Sequence, residues 1–446
     1  MHIGVDPFDD VRQMVKAPVI YRGRILNPLS YSELEDIPNG ALVVSEGKII
    51  EYGKFNDVRR RGNIVDFGDK VITPGLIDTH VHLPQYDVVA MDGYELLEWL
   101  DNYIFPAEKR FESTQVAREA SARFFIDLKA NGTTTACVYS TVHKDSTDVA
   151  FEEAHSCGLR IFMGKVMMDQ NSPEFLKEKT ADSLKASEEL CKKWHRKDGG
   201  RLNYIFTPRF APTCSLELLK QVSKLARKHD AYIQTHLSEN RHEIRLVKTL
   251  FPDCRNYTHV YESADLLMPK TIMAHCIYLE DQEISTLRKY STKVAHCPSS
   301  NFFLKSGIFN ATRIIDAGLD VGLGSDVGGG PNLSMFREMS NACYMSKVNY
   351  ILSEGKSNSI DSTFAFYLAT IGGAKVLGLE HIIGNFSVGK EADFIVLDAA
   401  KIDPQKNNKG RKAKEILSQI IHRGHEMIVS ATFVQGVQVY ENDRPF

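Results

Sequence analysis

The chain has 446 residues, 54 lysines and arginines against 57 aspartates and glutamates, a formal net charge of −3 and a 43% hydrophobic share. That length predicts one large domain with a smaller companion. The balanced charge gives nucleic acid or an anionic membrane nothing to attract, so both are excluded as partners.

The eight cysteines, Cys137, Cys157, Cys191, Cys214, Cys254, Cys276, Cys297 and Cys343, are scattered and never in CxxC spacing, which reads as reduced thiols. The N-terminus carries Asp6, Asp9 and Asp10 and no apolar run, unlike a signal peptide. Nowhere do about 20 apolar residues follow one another, as a membrane span requires. The predicted location is cytoplasmic.

From Val19 to Ile72 short β-branched runs, VIYRGRI, ALVVSEGKIIEYG and KVITPG, are broken by turn residues and predict antiparallel strands. After Pro74 apolar strands alternate with longer charged segments of helical period. The strands are LIDTHVHL, TTTACVY, RIFMGKVM, NYIFTPRF, YIQTHLS, TIMAHC, KVAHC and VGLGSD, with helices such as Ser113 to Asn131, Leu216 to His229 and Glu280 to Tyr290 between them. Eight such units predict an α/β fold, a (β/α)8 TIM barrel. From Gly384 onward the texture returns to strand and turn, in FSVGKEADFIVLDAA and MIVSATFVQGVQVYEN.

The expected organisation is a barrel over residues 74–384 with a small β-sandwich domain composed of residues 1–73 and 385–446. The polar, basic run from Lys401 to Lys414 reads as a surface loop.

His80 and His82 stand at i and i+2 on a predicted strand, so both side chains leave the same face and can hold one metal ion. His236, His275 and Asp326 each fall late in another predicted strand. In a (β/α)8 barrel those strand ends meet at one mouth. Imidazoles with a carboxylate suit Zn²⁺, and Fe²⁺ accepts the same donors. The cation acidifies a water molecule, and Asp326 is placed either to ligate it or to take the water's proton.

Glu239, three residues past His236, carries a carboxylate above the metal, where a proton shuttle works. His296 ends a further strand and reads as an orienting or packing residue, whereas His143, His155, His229, His242 and His259, in helical or loop contexts, are given no role. Trp99, Tyr103 and Phe105, in the long segment after the first barrel strand, either cover the mouth or pack structurally.

With PGLIDTHVHL, the strand-end His236 and His275, and GLGSD ending at Asp326, the chain resembles the amidohydrolase superfamily over nearly its whole length. HLPQY at His82 to Tyr86, LLEWLDNYIFPAEKRF at Leu96 to Phe111, TPRFAPTC at Thr207 to Cys214 and HLSENRHE at His236 to Glu243 resemble its guanine-deaminating members. The resemblance implies that His80, His82, His236 and Asp326 hold one zinc ion, that Glu239 shuttles protons and that His275 sits beside the water. It further implies that Gln85, Arg209 and Phe210 hold the purine, with His82, His236, Glu239 and Asp326 bordering it, and that the enzyme is a homodimer.

Binuclear members use a carboxylated lysine, for which Lys165 is the sole candidate. A single metal is the preferred reading. Chemically, an Arg fork matches the O6 and N7 acceptors of guanine, the Gln amide matches the opposite edge, and Phe210 offers a flat face. The implied reaction is attack of hydroxide on C2, protonation of N3 by Glu239 and loss of ammonia to give xanthine. The rivals are an amidohydrolase for another heterocycle, such as 8-oxoguanine or another aromatic amine, and a metal-free scaffold. The other zinc deaminase fold is disfavoured because its HxE and PCxxC signatures do not occur.

Overall fold

The structure is a computed structural model that describes residues 17–59, 61–406 and 410–442. The acidic N-terminal stretch with Asp6, Asp9 and Asp10 lies outside them. Four strands open the chain: β1 (Val19–Pro28), β2 (Leu34–Ser45), β3 (Lys48–Lys54) and β4 (Asn63–Pro74). The barrel follows, with β5 (Leu76–His82), β6 (Thr133–Tyr139), β7 (Arg160–Gly164), β8 (Val166–Met167), β9 (Leu202–Pro208), β10 (Tyr232–Leu237), β11 (Thr271–His275), β12 (Lys293–His296) and β13 (Val321–Leu323). Strands β14 (Phe394–Leu397), β15 (Val429–Val434) and β16 (Val437–Glu441) end it.

The terminal strands form one seven-stranded sheet in the order β16-β15-β14-β4-β1-β2-β3. Its pairings are antiparallel except that β1 and β4 run parallel, which departs from the wholly antiparallel expectation for Val19 to Ile72. The Tyr21 ring on β1 lies 5.1 Å from Phe433 on β15. Those strands are three places apart in the sheet, roughly 14 Å if it were flat. The sheet therefore curls until its two halves face each other, burying Tyr21, Leu42, Ile72, Phe394 and Phe433 in a core of their own. A sandwich results from one folded sheet.

The eight barrel staves run in parallel in the order β13-β12-β11-β10-β9-β7-β6-β5, with the short β8 continuing the β7 stave beside β9. Helices predicted between them are present as Thr114–Ala130, capped by Ser113, Leu216–His229 and Asp281–Lys289. Cys137 Sγ on β6 donates to Gln234 Oε1 on β10 at 3.1 Å. Those strands are not neighbours, so their side chains meet inside the ring. The Lys401–Lys414 run differs from expectation at its end, where a helix, Ala413–Arg423, begins. Ile416, Leu417, Ile420 and Ile421 form its buried stripe, a helical period overlooked among the surrounding strand signals. No helix among the described residues is long and apolar enough to cross a membrane.

The ring closes where the segment after β13 meets β5. Asp326 N–H donates to His80 O, and His82 N–H to Val327 O, both at 2.8 Å. Thr79 Oγ1 donates to Leu323 O at 2.9 Å. Buried Asp78 accepts from Ser325 N–H at 3.0 Å, from Ser325 Oγ at 2.5 Å and from His80 N–H at 3.2 Å. Gly324 is required in this seam because a Cβ there would lie 2.7 Å from His80 Cβ.

Asp78→Ala leaves three buried donors without an acceptor, a loss of about 3 kcal/mol or more. The expected outcome is a clear fall in thermal midpoint by calorimetry. An unchanged midpoint would show that the seam does not depend on Asp78.

Candidate active site

Alternation along β5 turns His80 and His82 to the same side, and the strand ends of β10 and β11 supply His236 and His275 beside them. Asp326 follows β13. His275 and Asp326 both have left-handed backbones, with φ of 69° and 49°, a conformation that costs a non-glycine residue about 1–3 kcal/mol and collects at functional sites.

The Nε2 atoms of His80 and His82 lie 3.2 Å apart, and those of His82 and His236 3.3 Å apart. Asp326 Oδ1 stands 3.1 Å from His80 Nε2 and 3.2 Å from His82 Nε2. A tetrahedral ion with ligand bonds of about 2.0–2.1 Å separates its donors by roughly 3.3 Å. Donor atoms of His80, His82, His236 and Asp326 all lie within 4.8 Å of one another, buried. The donor set thus fits a divalent metal in both spacing and chemistry.

The protonation pattern agrees. Burial pushes the His82 imidazole down to about 3 and His236 well below its ordinary value, leaving both neutral, as ligation requires. His236 Nδ1 donates to Arg209 O at 2.6 Å, which turns its Nε2 lone pair to the cluster. Burial alone would raise Asp326, but the neighbouring His80, His82 and His275 hold it well below the usual carboxylate range. Its Oδ2 lies 3.7 Å from His275 Nε2, and His275 Nδ1 donates to Asn301 Oδ1 at 3.0 Å. His275, Asp326 and Cys297 form a second group with donor atoms within 4.8 Å. The sequence reading passed over that position of Cys297.

Glu239 lies in the loop after β10. Burial and the Asp326 charge raise it to about 8, against a hydrogen bond from Ser306 Oγ of 2.7 Å. Its Oε2 is 3.4 Å from His275 Nε2. The HLSENRHE motif explains how the loop is held: Asn240 caps helix Arg241–Leu250, and Glu243 accepts from the backbone N–H groups of Glu239 at 2.9 Å and Asn240 at 3.1 Å. That arrangement is a capping box.

A cavity opens over this cluster, lined by His82, Gln85, Leu96, Trp99, Leu100, Arg209, Phe210, His236, Glu239, His275, Leu304, Asp326 and Gly329. All of the sequence-predicted site residues except His80 line it, and His80 stands behind in the donor cluster. Leu96, Trp99 and Leu100 come from the helical run over residues 96–112, whose middle, Leu100–Ile104, widens to π geometry, a feature frequent at functional sites. Tyr103 and Phe105 pack in the apolar cluster of that run and do not line the cavity.

Glu108 was not foreseen. It is buried and accepts from Arg209 Nη1 at 2.8 and 2.7 Å and from Gln85 Nε2 at 3.1 Å. Gln85 Oε1 accepts from Gly328 N–H at 3.2 Å, and the Arg209 guanidinium lies 5.4 Å from the Phe105 ring centre. The available signal was its i, i+3 spacing from Phe105, which puts a carboxylate on an aromatic helix face.

Lys165 does not line the cavity. Its ammonium donates to Glu178 at 2.5 Å, Val166 O at 3.0 Å and Ser183 at 3.3 Å, so it forms a buried structural ion pair. His296 also lies outside the cavity lining. It packs on Phe309 with ring centres 4.5 Å apart, and burial lowers it to about 3.

A sequence profile of the amidohydrolase family matches residues 71–439. The guanine deaminase of Escherichia coli is 38% identical over 419 residues, covering 92% of this chain and 93% of its own. That of Rattus norvegicus is 38% identical over 374 residues, 82% of each. A crystal structure of guanine deaminase from C. acetobutylicum with bound guanine in the active site is 33% identical, with a TM-score of 0.90 over 95% of this chain and all of that one.

Removing one donor leaves a buried three-imidazole site with no anionic ligand, so Asp326→Ala should weaken metal binding at least about 100-fold. Elemental analysis after dialysis should find bound divalent metal far below the wild-type stoichiometry. An undiminished content would remove Asp326 from the ligand set.

Proposed function

This chain belongs to the amidohydrolase family, and from that footing we propose that it hydrolyses guanine to xanthine and ammonia, using one zinc ion held by His80, His82, His236 and Asp326. The chain is a hydrolase of carbon–nitrogen bonds. The observation that carries the choice of substrate is the pairing of Arg209 and Gln85, side by side on the lining of the cavity above the donor cluster.

Three imidazole nitrogens and one carboxylate at tetrahedral spacing support zinc. When bound, the ion acidifies water to a pKa of about 7 and so supplies the nucleophile at neutral pH. The remaining work falls to side chains. Arg209, with Nη1 committed to Glu108, retains other N–H donors for the O6 and N7 acceptors of the purine. Gln85 keeps one N–H and one carbonyl lone pair beyond its contacts with Glu108 and Gly328. Phe210 and Trp99 supply apolar faces that exclude water from the ring.

Glu239, raised to about 8 by burial and Asp326, holds a proton near neutrality, and a nearby cation's charge brings it down from there. It delivers a proton to N3, making C2 more electrophilic, and, refilled by the proton that the attacking oxygen gives up as the C2 carbonyl forms, passes a second to the departing amine. His275, fixed by Asn301, holds the attacking oxygen by hydrogen bonding, and Asp326 stabilises the developing tetrahedral centre.

Two further features of this reading have support in the fold. The eight cysteines are all free thiols, which supports the reducing cytoplasm. Tyr344, Tyr350, Ile351 and Leu352 are exposed on helix Met335–Leu352, and large apolar side chains left in water near one helix end support a homodimer. Sedimentation is expected to give twice the chain mass. A monomer at micromolar concentration would rule that out.

The decisive test is ammonia release from guanine, adenine, cytosine and 8-oxoguanine with and without chelator. Guanine-selective, chelator-sensitive release is expected. Arg209→Ala should lower kcat/KM for guanine by about 100-fold or more, and Glu239→Gln should lower kcat by roughly 10²–10⁴-fold. Undiminished guanine turnover in Arg209→Ala would favour another heterocycle as substrate.

A further inference from the structure

Glu108 is the one carboxylate hydrogen-bonded to Arg209 among the described residues, and both side chains are about 4% exposed. Its partners come from elsewhere in the fold: Arg209 follows β9, and Gln85 lies just after β5. Through Oε1 it takes a hydrogen bond from each. The Gln85 amide is thereby oriented, with its nitrogen toward Glu108 and its oxygen toward Gly328 N–H.

The neighbouring charges do not duplicate this role. Lys109 and Arg110 are exposed. His82, which feels the Arg209 charge, and His143, which feels that of Glu108, are both held below their ordinary values by burial. In a buried site, a guanidinium without a counter-ion attracts any anion that reaches it.

We propose that Glu108, by pairing with Arg209, keeps the Arg209 end of the purine pocket electrically neutral and so sets its preference for neutral guanine over the more acidic product. The inference rests on the reading of the cavity as a guanine site. Hydrolysis exchanges the C2 amine for oxygen and adds a second ring lactam, whose N–H ionises more readily than those of guanine. A pocket with net positive charge retains that product, whereas a neutral one releases it. Glu108 acts through Arg209 and Gln85 and is therefore a positioning and specificity residue.

The test compares the KM for guanine with the inhibition constant of xanthine, at one pH, in the wild-type holoenzyme, E108Q and E108D. E108Q keeps the shape and removes the charge. Losing a charge-assisted contact that orients both purine-binding groups is expected to raise the guanine KM about tenfold, with kcat little changed. The xanthine inhibition constant should stay level or fall, so that its ratio to KM drops by roughly tenfold or more. E108D retains the charge on a shorter stem, so its KM rises while the ratio stays at the wild-type value. Thermal midpoint and metal content check that each variant is folded and loaded.

If both constants weaken together in E108Q, or if KM does not move, the counter-ion role is overturned. If E108Q fails to fold, a fallen ratio in E108D overturns it equally. A wild-type enzyme that does not turn over guanine brings down the purine reading instead, and this proposal with it.

Discussion

The seam between the segment after β13 and β5 is the constraint on which the site depends. It joins the first and last staves of the barrel, about 240 residues apart in the chain, through backbone hydrogen bonds at His80, His82, Asp326 and Val327. Each of those bonds is made by a proposed metal ligand or its neighbour, so closing the ring brings three of the four donors, His80, His82 and Asp326, together. The seam is tight enough to require glycine at 324. Buried Asp78, which burial raises to about 6 against the hydrogen bonds from Ser325 and His80, ties its two sides. The GLGSD and DTHVH motifs therefore read as two halves of one joint: the glycine admits the close approach, the serine and aspartate lock it, and the histidines and Asp326 project from it.

Arg209 links this joint to the substrate pocket. Its carbonyl accepts the Nδ1 proton of His236 and so sets which lone pair that ring turns to the metal, while its side chain leaves for the cavity and pairs with Glu108. One residue at the end of β9 thus orients a proposed metal ligand with its backbone and lines the cavity with its side chain. Precision of this kind comes from rigid elements, since a strand end allows neither group much freedom.

What could be read from the sequence follows from how local each feature is. His80, His82, His236, His275 and Asp326 were legible because strand periodicity fixes the side to which a residue points and a parallel barrel gathers its strand ends without further information. The predicted staves and the helix Leu216–His229 carried their own patterns. Glu108 was not legible, because what makes it functional is contact with Arg209 a hundred residues later. The curl of the terminal sheet and the parallel pairing of β1 with β4 were hidden for the same reason. Helix Ala413–Arg423 is a different case: its apolar stripe was present in the sequence, but lay between strand signals and behind a basic run.

The division of labour between strand ends and connections also bears on how such a site changes substrate. The donor cluster belongs to the staves and is tied to barrel closure, so altering it endangers the fold. Gln85, Leu96, Trp99, Leu100 and Glu108 all lie in the single connection between β5 and β6, whose apolar side chains pack with Tyr139, Phe210 and Leu304 from other parts of the barrel. That connection meets the seam at one point, where Gln85 Oε1 accepts from Gly328 N–H. Solved triazine hydrolases share this barrel at 18% identity with a TM-score of 0.85, a likeness that reaches the architecture alone. Under the proposed guanine reading, selection of the ring falls to the β5–β6 connection together with Arg209, the one strand-end residue it engages through Glu108.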